Sequence, residues 1–179
     1  MPCVEIKISG IELTEEFHTL VESSLTSALQ EEISHVFPIE LGFTEGSKEF
    51  EVCRQIAHNI MPGWTWITLE EARWAVRGRV DSDAVTARVH VLLLANAVYT
   101  PYRQEVAQKV KEVILPILKS SGKPVHLFVD VIEGEVDMTL PKDLFEPYLR
   151  DASDKLLTPG GVVQFIMAET MKALENERV

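Results

Sequence analysis

Apolar and polar positions alternate over residues 3–9, a pattern that predicts a half-buried β-strand. Apolar residues then recur at helical spacing after Thr14, a favourable N-cap residue, and continue to about Glu32. The segment 36–43, which contains Pro38, reads as a second strand. Together these elements predict a strand-helix-strand unit at the start of the chain.

The middle of the chain is less regular. Apolar residues at helical spacing predict a short helix over 50–60, which Pro62 and the following glycine would end. The sequence TLEE at 68–71 matches a capping box and predicts another helical turn or two, through Trp74. The middle of the chain is therefore predicted to add helices between two more regular units.

A second strand-helix-strand unit is predicted further along. The segment 89–94 is largely apolar on both faces, as in a covered central strand. Thr100 and the proline after it suit the start of a helix, Gly122 suits its end, and 125–132 reads as the next strand. A helix that crosses back over the sheet joins two parallel strands with a right-handed connection, so each unit should contribute a parallel pair.

These two units predict an α+β fold, with tandem β-α-β units forming a four-stranded sheet and two helices on one face. Residues 1–140 would form this domain, and 141–179 a helical extension with apolar segments over 144–156 and 162–174. Because the strand at 89–94 is apolar on both sides, its second face also needs covering. The extension or a neighbouring subunit would supply that cover.

Composition narrows the function classes. The net charge of −11, without a basic stripe, argues against nucleic acid as a partner. No apolar run approaches the roughly 18 residues of a membrane span, and no secretory signal is expected. The two cysteines, Cys3 and Cys53, suggest no disulfide framework, so a reducing, cytoplasmic setting is predicted. Metal-ligand spacings and phosphate-binding loops are missing from the sequence, so we expect no metal and no cofactor.

The chain opens Met1-Pro2, directly before the first strand. If Met1 is removed, Pro2 carries a terminal secondary amine. Burial and nearby cations disfavour the charged form of an amine, so such a group can have a pKa near neutrality and accept a proton. Pro2 is therefore the candidate catalytic residue, as a general base.

A proline at position two that leads into a strand, followed by two tandem β-α-β units, resembles the tautomerase superfamily. That group includes macrophage migration inhibitory factor, 5-carboxymethyl-2-hydroxymuconate isomerase and cis-3-chloroacrylic acid dehalogenase. The resemblance covers roughly residues 2–140, and its specific sequence element is Met1-Pro2. It implies a sheet-lined homotrimer in which Pro2 lies in a pocket at a subunit boundary and shuttles a proton.

The chain departs from the dehalogenase members of that group. Where they carry arginines that hold the substrate carboxylate, just before the second helix, this chain has Asn96 and Tyr99, and their helix-one histidine falls at about Leu29. Dehalogenation is therefore not expected. Arg103, in the first turn of the second helix, offers bidentate carboxylate recognition, and we take it with Tyr99 and Asn96 as the candidate substrate-binding residues.

Two hypotheses follow. The first is a tautomerase-like or isomerase-like enzyme in which Pro2 acts on a small α-keto or unsaturated carboxylate. The second is a non-catalytic, oligomeric, ferredoxin-like module that binds a ligand or partner. Strand order discriminates between the two folds, because a ferredoxin-like sheet interleaves the strands of its two units.

Overall fold

The computed structural model describes residues 2–60, 65–76, 79–80, 83–94, 102–134 and 159–176. The elements in chain order are β1 (Cys3–Ser9), α1 (Glu15–Glu40), α2 (Lys48–Ile60), β2 (Trp66–Glu71), β3 (Ala75–Val76), β4 (Arg79–Val80), β5 (Val85–Leu94), α3 (Arg103–Lys119), β6 (Val125–Gly134) and α4 (Pro159–Asn176). Of the helices in these ranges, none has both the length and the apolar character that crossing a membrane requires.

The main sheet has four strands in the order β2-β1-β5-β6. β1 and β2 are parallel, β5 and β6 are parallel, and the two pairs join through the antiparallel contact of β1 with β5. The predicted fold class, an α+β fold built from two tandem parallel units, is confirmed. Because the strands of each unit stay adjacent rather than interleaved, the ferredoxin-like arrangement is wrong for this chain.

One face of the sheet forms the core with the helices. The buried side chains alternate along the two central strands, at Val4, Ile6 and Ile8 in β1 and at odd-numbered positions from Val85 to Leu93 in β5. They share one apolar cluster with the inner faces of the helices α1 and α3. The opposite face carries the described side chains at the alternate positions of these four strands, and we call it the open face.

The predicted strand over 36–43 is wrong, because α1 continues to Glu40. The N-cap at Thr14 is confirmed, since its side chain accepts a hydrogen bond from the backbone N–H of Phe17. Val36 and Phe37 extend the buried stripe of the helix, and their burial outweighs the helix-breaking preference of Pro38. Pro38 lies in the last turn and removes only the one bond that its own N–H would have donated to the carbonyl of Ser34.

The helical turn predicted at 68–71 is also wrong. This segment lies in β2, with Ile67 and Leu69 half-buried and Trp66, Thr68 and Glu70 exposed. β2, not the segment 36–43, is the parallel partner of β1. Its alternation of apolar and polar residues was a strand signal that outweighed the capping-box match.

The C-terminal helix α4 packs against α2 on the helical side of the sheet. Its buried residues recur every four positions, at Ile166, Thr170 and Leu174. The helix predicted over 162–174 is confirmed and begins slightly earlier, at Pro159. The predicted segment over 144–156 lies outside the described residues.

The second crossover helix, α3, ends where the sequence predicts, near Gly122, which has a φ of +73°. Its described start is Arg103, and Thr100, the predicted cap, lies outside the described residues. Four residues at helical spacing form its buried stripe, and they are Val106, Val110, Ile114 and Leu118. α3 contacts both α1 and β6, so it covers the β5-β6 side of the sheet.

Candidate functional site

Pro2 is buried at the amino end of β1, one of the two central strands of the sheet. Its carbonyl oxygen accepts a hydrogen bond of 3.0 Å from the backbone N–H of Trp66, so parallel pairing with β2 begins at this residue. On the other side, Cys3 pairs with Leu92, and one further step along that register places Pro2 beside Leu93. The backbone of Pro2 is therefore held within the sheet and not on a loose terminus.

The fold topology places several elements at the end of the sheet where Pro2 lies. Because β1 and β5 are antiparallel, the carboxyl end of β5, at Leu94, lies beside the amino end of β1. α3 must run back from that end to reach the start of β6, so its first residue, Arg103, lies at the same end as Pro2. The other two predicted substrate-binding residues, Asn96 and Tyr99, lie outside the described residues.

The two cysteines are poor nucleophiles at neutral pH. Burial raises the pKa of the Cys3 thiol above its ordinary value. Burial also raises the pKa of Cys53, and a hydrogen bond with Thr170 partly opposes that effect. Since the thiolate is the reactive form, proximity to Pro2 does not make Cys3 a chemical partner for it.

The open face begins, at the Pro2 end, with a row of apolar side chains that crosses all four strands. The registers place them side by side, and in order they are Trp66, Cys3, Leu92 and Ile132. Trp66 is 43% exposed and Ile132 is 42% exposed, while Phe128, further along the same face of β6, is 59% exposed. Three large exposed apolar side chains on one sheet face form an apolar patch, and such patches are typical of interaction sites.

Charged residues occupy the two rows that follow the apolar row. The nearer row is Thr68, Glu5, His90 and Asp130, and the next is Glu70, Lys7, Arg88 and Phe128. Arg88 donates to Asp130 at 2.7 Å through both Nε and Nη2. The side chains of Glu5, Lys7, Arg88 and His90 line a shallow cavity of about 160 Å³. His90 Nδ1 is buried there without a hydrogen-bond partner.

Within the described ranges, the histidine, cysteine, aspartate and glutamate side chains do not form a group of three or more that could hold a metal ion.

No protein-family model matches the chain, and no curated protein matches it in sequence. Solved structures do match it. A crystal structure of 5-carboxymethyl-2-hydroxymuconate delta-isomerase aligns with a TM-score of 0.50 at 17% identity, covering 86% of this chain and 96% of the other. The chain has the tautomerase fold. At this identity the likeness concerns the fold alone, and it agrees with the tandem-unit fold that the resemblance implies.

Two further structures match less closely. A protein from the thermophilic fungus Aspergillus fumigatus has a TM-score of 0.48 at 16% identity, covering 79% of this chain and 80% of that one. The macrophage migration inhibitory factor-like protein of Entamoeba histolytica has a TM-score of 0.43 at 10% identity, covering 77% and 96%.

Sequence reasoning proposed Pro2 and Arg103 as site residues, which remain predictions, and it did not identify the neighbours of β1. It did not identify Trp66 as a neighbour of Pro2, although the backbone N–H of Trp66 donates to the Pro2 carbonyl. The period-two pattern over 66–70 could have identified the strand. Its pairing partner could not have been found this way, because a local pattern carries no information about register with β1.

Proposed function

We propose that this protein is a tautomerase-like or isomerase-like enzyme in which Pro2, freed by removal of Met1, is the general base. The substrate would be a small α-keto or unsaturated carboxylate. The observation that carries the proposal is the placement of Pro2, which is buried at the head of a central strand and held by the Trp66 N–H. The tautomerase fold is consistent with this proposal. A fold by itself does not determine function, so the proposal rests on the site.

The burial of Pro2 supports this role. Removal from water disfavours the charged form of an amine, which leaves a terminal amine freer to accept a proton. A general base works best when its pKa lies near the operating pH. Because the Pro2 carbonyl is fixed, the ring nitrogen is held in one place relative to a bound substrate, which lowers the entropic part of the barrier.

Arg103 is the proposed anchor for the substrate carboxylate, because it lies at the same end of the sheet as Pro2. Its guanidinium can make two parallel hydrogen bonds to a carboxylate, which would set the angle at which the substrate presents its α-carbon to Pro2. We propose Tyr99 and Asn96, between β5 and α3 in sequence, as further substrate contacts.

The experiment begins with the intact mass of the purified protein, which shows whether Met1 is present. The processed protein is then assayed for conversion of phenylenolpyruvate from enol to keto form, against a matched preparation in which one extra residue blocks the Pro2 nitrogen. We expect conversion by the processed form and none by the blocked form. A processed protein without activity, or equal activity of both forms, would refute Pro2 as the base.

We propose further that the chain assembles as a homotrimer through the open face. The exposed side chains of Trp66, Phe128 and Ile132 favour this, since covering them removes apolar surface from water. We propose that residues 1–140 form the tautomerase-like domain, with 141–179 as its helical extension. In this arrangement α4, which packs on α2, stays on the side of the sheet away from the subunit contact.

Replacing Phe128 with aspartate is expected to weaken this assembly by at least about tenfold in dissociation constant, because a charge would be buried in the contact. Light scattering after gel filtration measures the change in mass. Met171→Asp is the matched control, because Met171 is also an exposed apolar residue, 46% exposed, but lies on α4. If the Met171 variant dissociated while the Phe128 variant stayed assembled, the subunit contact would lie on the helical side of the sheet and not on the open face.

A further inference from the structure

The side of the sheet on which Pro2 lies follows from the alternation along β1. Val4, Ile6 and Ile8 are buried toward the helices, and Pro2 is buried and belongs to the same even-numbered series. Successive side chains of a strand point to opposite faces, so the ring of Pro2 lies on the helical side of the sheet and not on the open face. The side chains next to it on that side determine which chemistry can accompany its nitrogen.

The register with β2 places Thr65 directly beside Pro2. Cys3 pairs with Trp66, and the Trp66 N–H donates to the Pro2 carbonyl. One step back along both parallel strands therefore sets Thr65 opposite Pro2. The alternation along β2 agrees, because Trp66 is exposed, Ile67 is half-buried, and Thr65 is half-buried like Ile67. Thr65 and Pro2 thus share the helical side at the same end of the sheet.

The neighbour of Pro2 on its other side offers no polar group. The same step along the antiparallel register with β5 sets Leu93 opposite Pro2, and Leu93 is buried. Adjacent strands are about 4.8 Å apart, and a general base must lie about 3 Å from the proton-bearing atom that it serves. A substrate atom that exchanges a proton with the Pro2 nitrogen is therefore within reach of the flanking side chains. Of these two, Thr65 is the one with a hydrogen-bond donor.

We propose that Thr65 is a further catalytic residue, whose hydroxyl donates a hydrogen bond to the substrate oxygen that changes from enol to ketone. The inference rests on the proposed function, in which Pro2 is the base. The enol O–H bond breaks as its proton passes to the Pro2 nitrogen. The electron pair of the carbon–carbon double bond then takes a proton from that nitrogen, a C–H bond forms, and the carbon that bears the oxygen becomes a carbonyl.

The substrate oxygen carries its largest negative charge between these two proton transfers. A donor fixed beside it stabilises that charge more than it stabilises the neutral enol or ketone, which is the condition for lowering the barrier. Threonine suits the position, because its branched Cβ restricts the side chain to few rotamers. The hydroxyl of Thr65 keeps its own proton throughout, so it assists the transfer without competing with Pro2.

The test compares the steady-state kinetics of phenylenolpyruvate conversion by the processed native protein and by Thr65→Val, in which a methyl group replaces the hydroxyl. We expect kcat to fall by about 100-fold with little change in KM, because the hydrogen bond is strongest at the transition state. Thr65→Ser, which keeps the hydroxyl, should retain most of the activity. Phenylpropionate has the carboxylate but lacks the reacting oxygen, so it should inhibit the native protein and Thr65→Val equally.

The matched control is Thr68→Val, because Thr68 lies on the same strand but is exposed on the open face. This variant should keep native kinetics. If Thr65→Val does not fold, Thr65→Ser and Thr65→Ala supply the comparison, since serine and alanine differ only by the hydroxyl.

The outcomes separate this inference from the proposed function. A processed native protein without activity, or one equally active with its Pro2 nitrogen blocked, would overturn both. Activity that depends on Pro2 but is unchanged in Thr65→Val would overturn the role of Thr65 alone. An equal loss in Thr65→Val and Thr65→Ser, or an equal loss in Thr68→Val, would do the same, because the hydroxyl beside Pro2 would not be the cause.

Discussion

Replacing Pro2 with alanine is expected to lower kcat/KM for enol-to-keto conversion by about 100-fold or more, the contribution typical of a positioned general base. The substitution exchanges a ring-constrained secondary amine for a flexible primary one, with a different pKa and orientation. The backbone contact should survive, because the Trp66 N–H donates to the carbonyl of residue 2 and not to its side chain. The fold should therefore be retained while the chemistry is lost.

Pro124→Ala is the matched control for this variant. Pro124 precedes β6 at the opposite end of the sheet, is exposed, and also offers its carbonyl to a neighbouring strand, at 2.8 Å from the Val85 nitrogen. It should keep native activity. Steady-state kinetics, thermal unfolding and intact mass of both variants complete the comparison. Loss of activity in both, or unchanged activity in the Pro2 variant with Met1 absent, would contradict the assignment.

Gly10→Ala is expected to destabilise the protein by about 3 kcal/mol or more. Gly10 ends β1 with a φ of +83°, a left-handed conformation that costs other residues energy. A Cβ at this position would also collide with the carbonyl oxygen of Ala84. Ala84 is buried and immediately precedes the central strand β5, so its backbone cannot withdraw without disturbing the sheet.

Gly42→Ala separates the two causes. Gly42 has almost the same backbone conformation, with a φ of +80°, but a Cβ there would meet nothing within 4 Å. The Gly42→Ala variant should lose only the free energy of unfolding that the left-handed conformation costs, about 1–2 kcal/mol. Chemical denaturation monitored by circular dichroism measures both variants. Equal losses would show that the contact with Ala84 contributes nothing, whereas failure of only the Gly10 variant to fold would agree with the collision.

The errors in the sequence prediction share a physical cause. Pro38 and the TLEE segment are local signals, and each gave the wrong element where tertiary contacts opposed it. Burial of Val36 and Phe37 against the core keeps α1 helical as far as Glu40. The pairing of Trp66 with Cys3 turns the other segment into a strand. A short pattern cannot weigh such distant contacts.

The candidate site also combines features that the sequence predicts with features that only the tertiary structure determines. The presence of Pro2 and its place before a strand could be read from the chain alone, because both depend only on the order of residues. The burial of Pro2, its contact with Trp66 and the return of α3 to the same end are consequences of strand order. The open face, with His90 between Glu5 and Asp130, likewise depends on register across three strands.

The sequence by itself determined the second strand-helix-strand unit, the first strand and first helix of the chain and the position of Pro2, because hydrophobic periodicity and capping residues act over a few turns of chain. Only the tertiary structure decided which segment pairs with β1 and that the two units join edge to edge through β1 and β5. Strand pairing joins residues far apart in the chain, and its register decides which side chains share a row and a face.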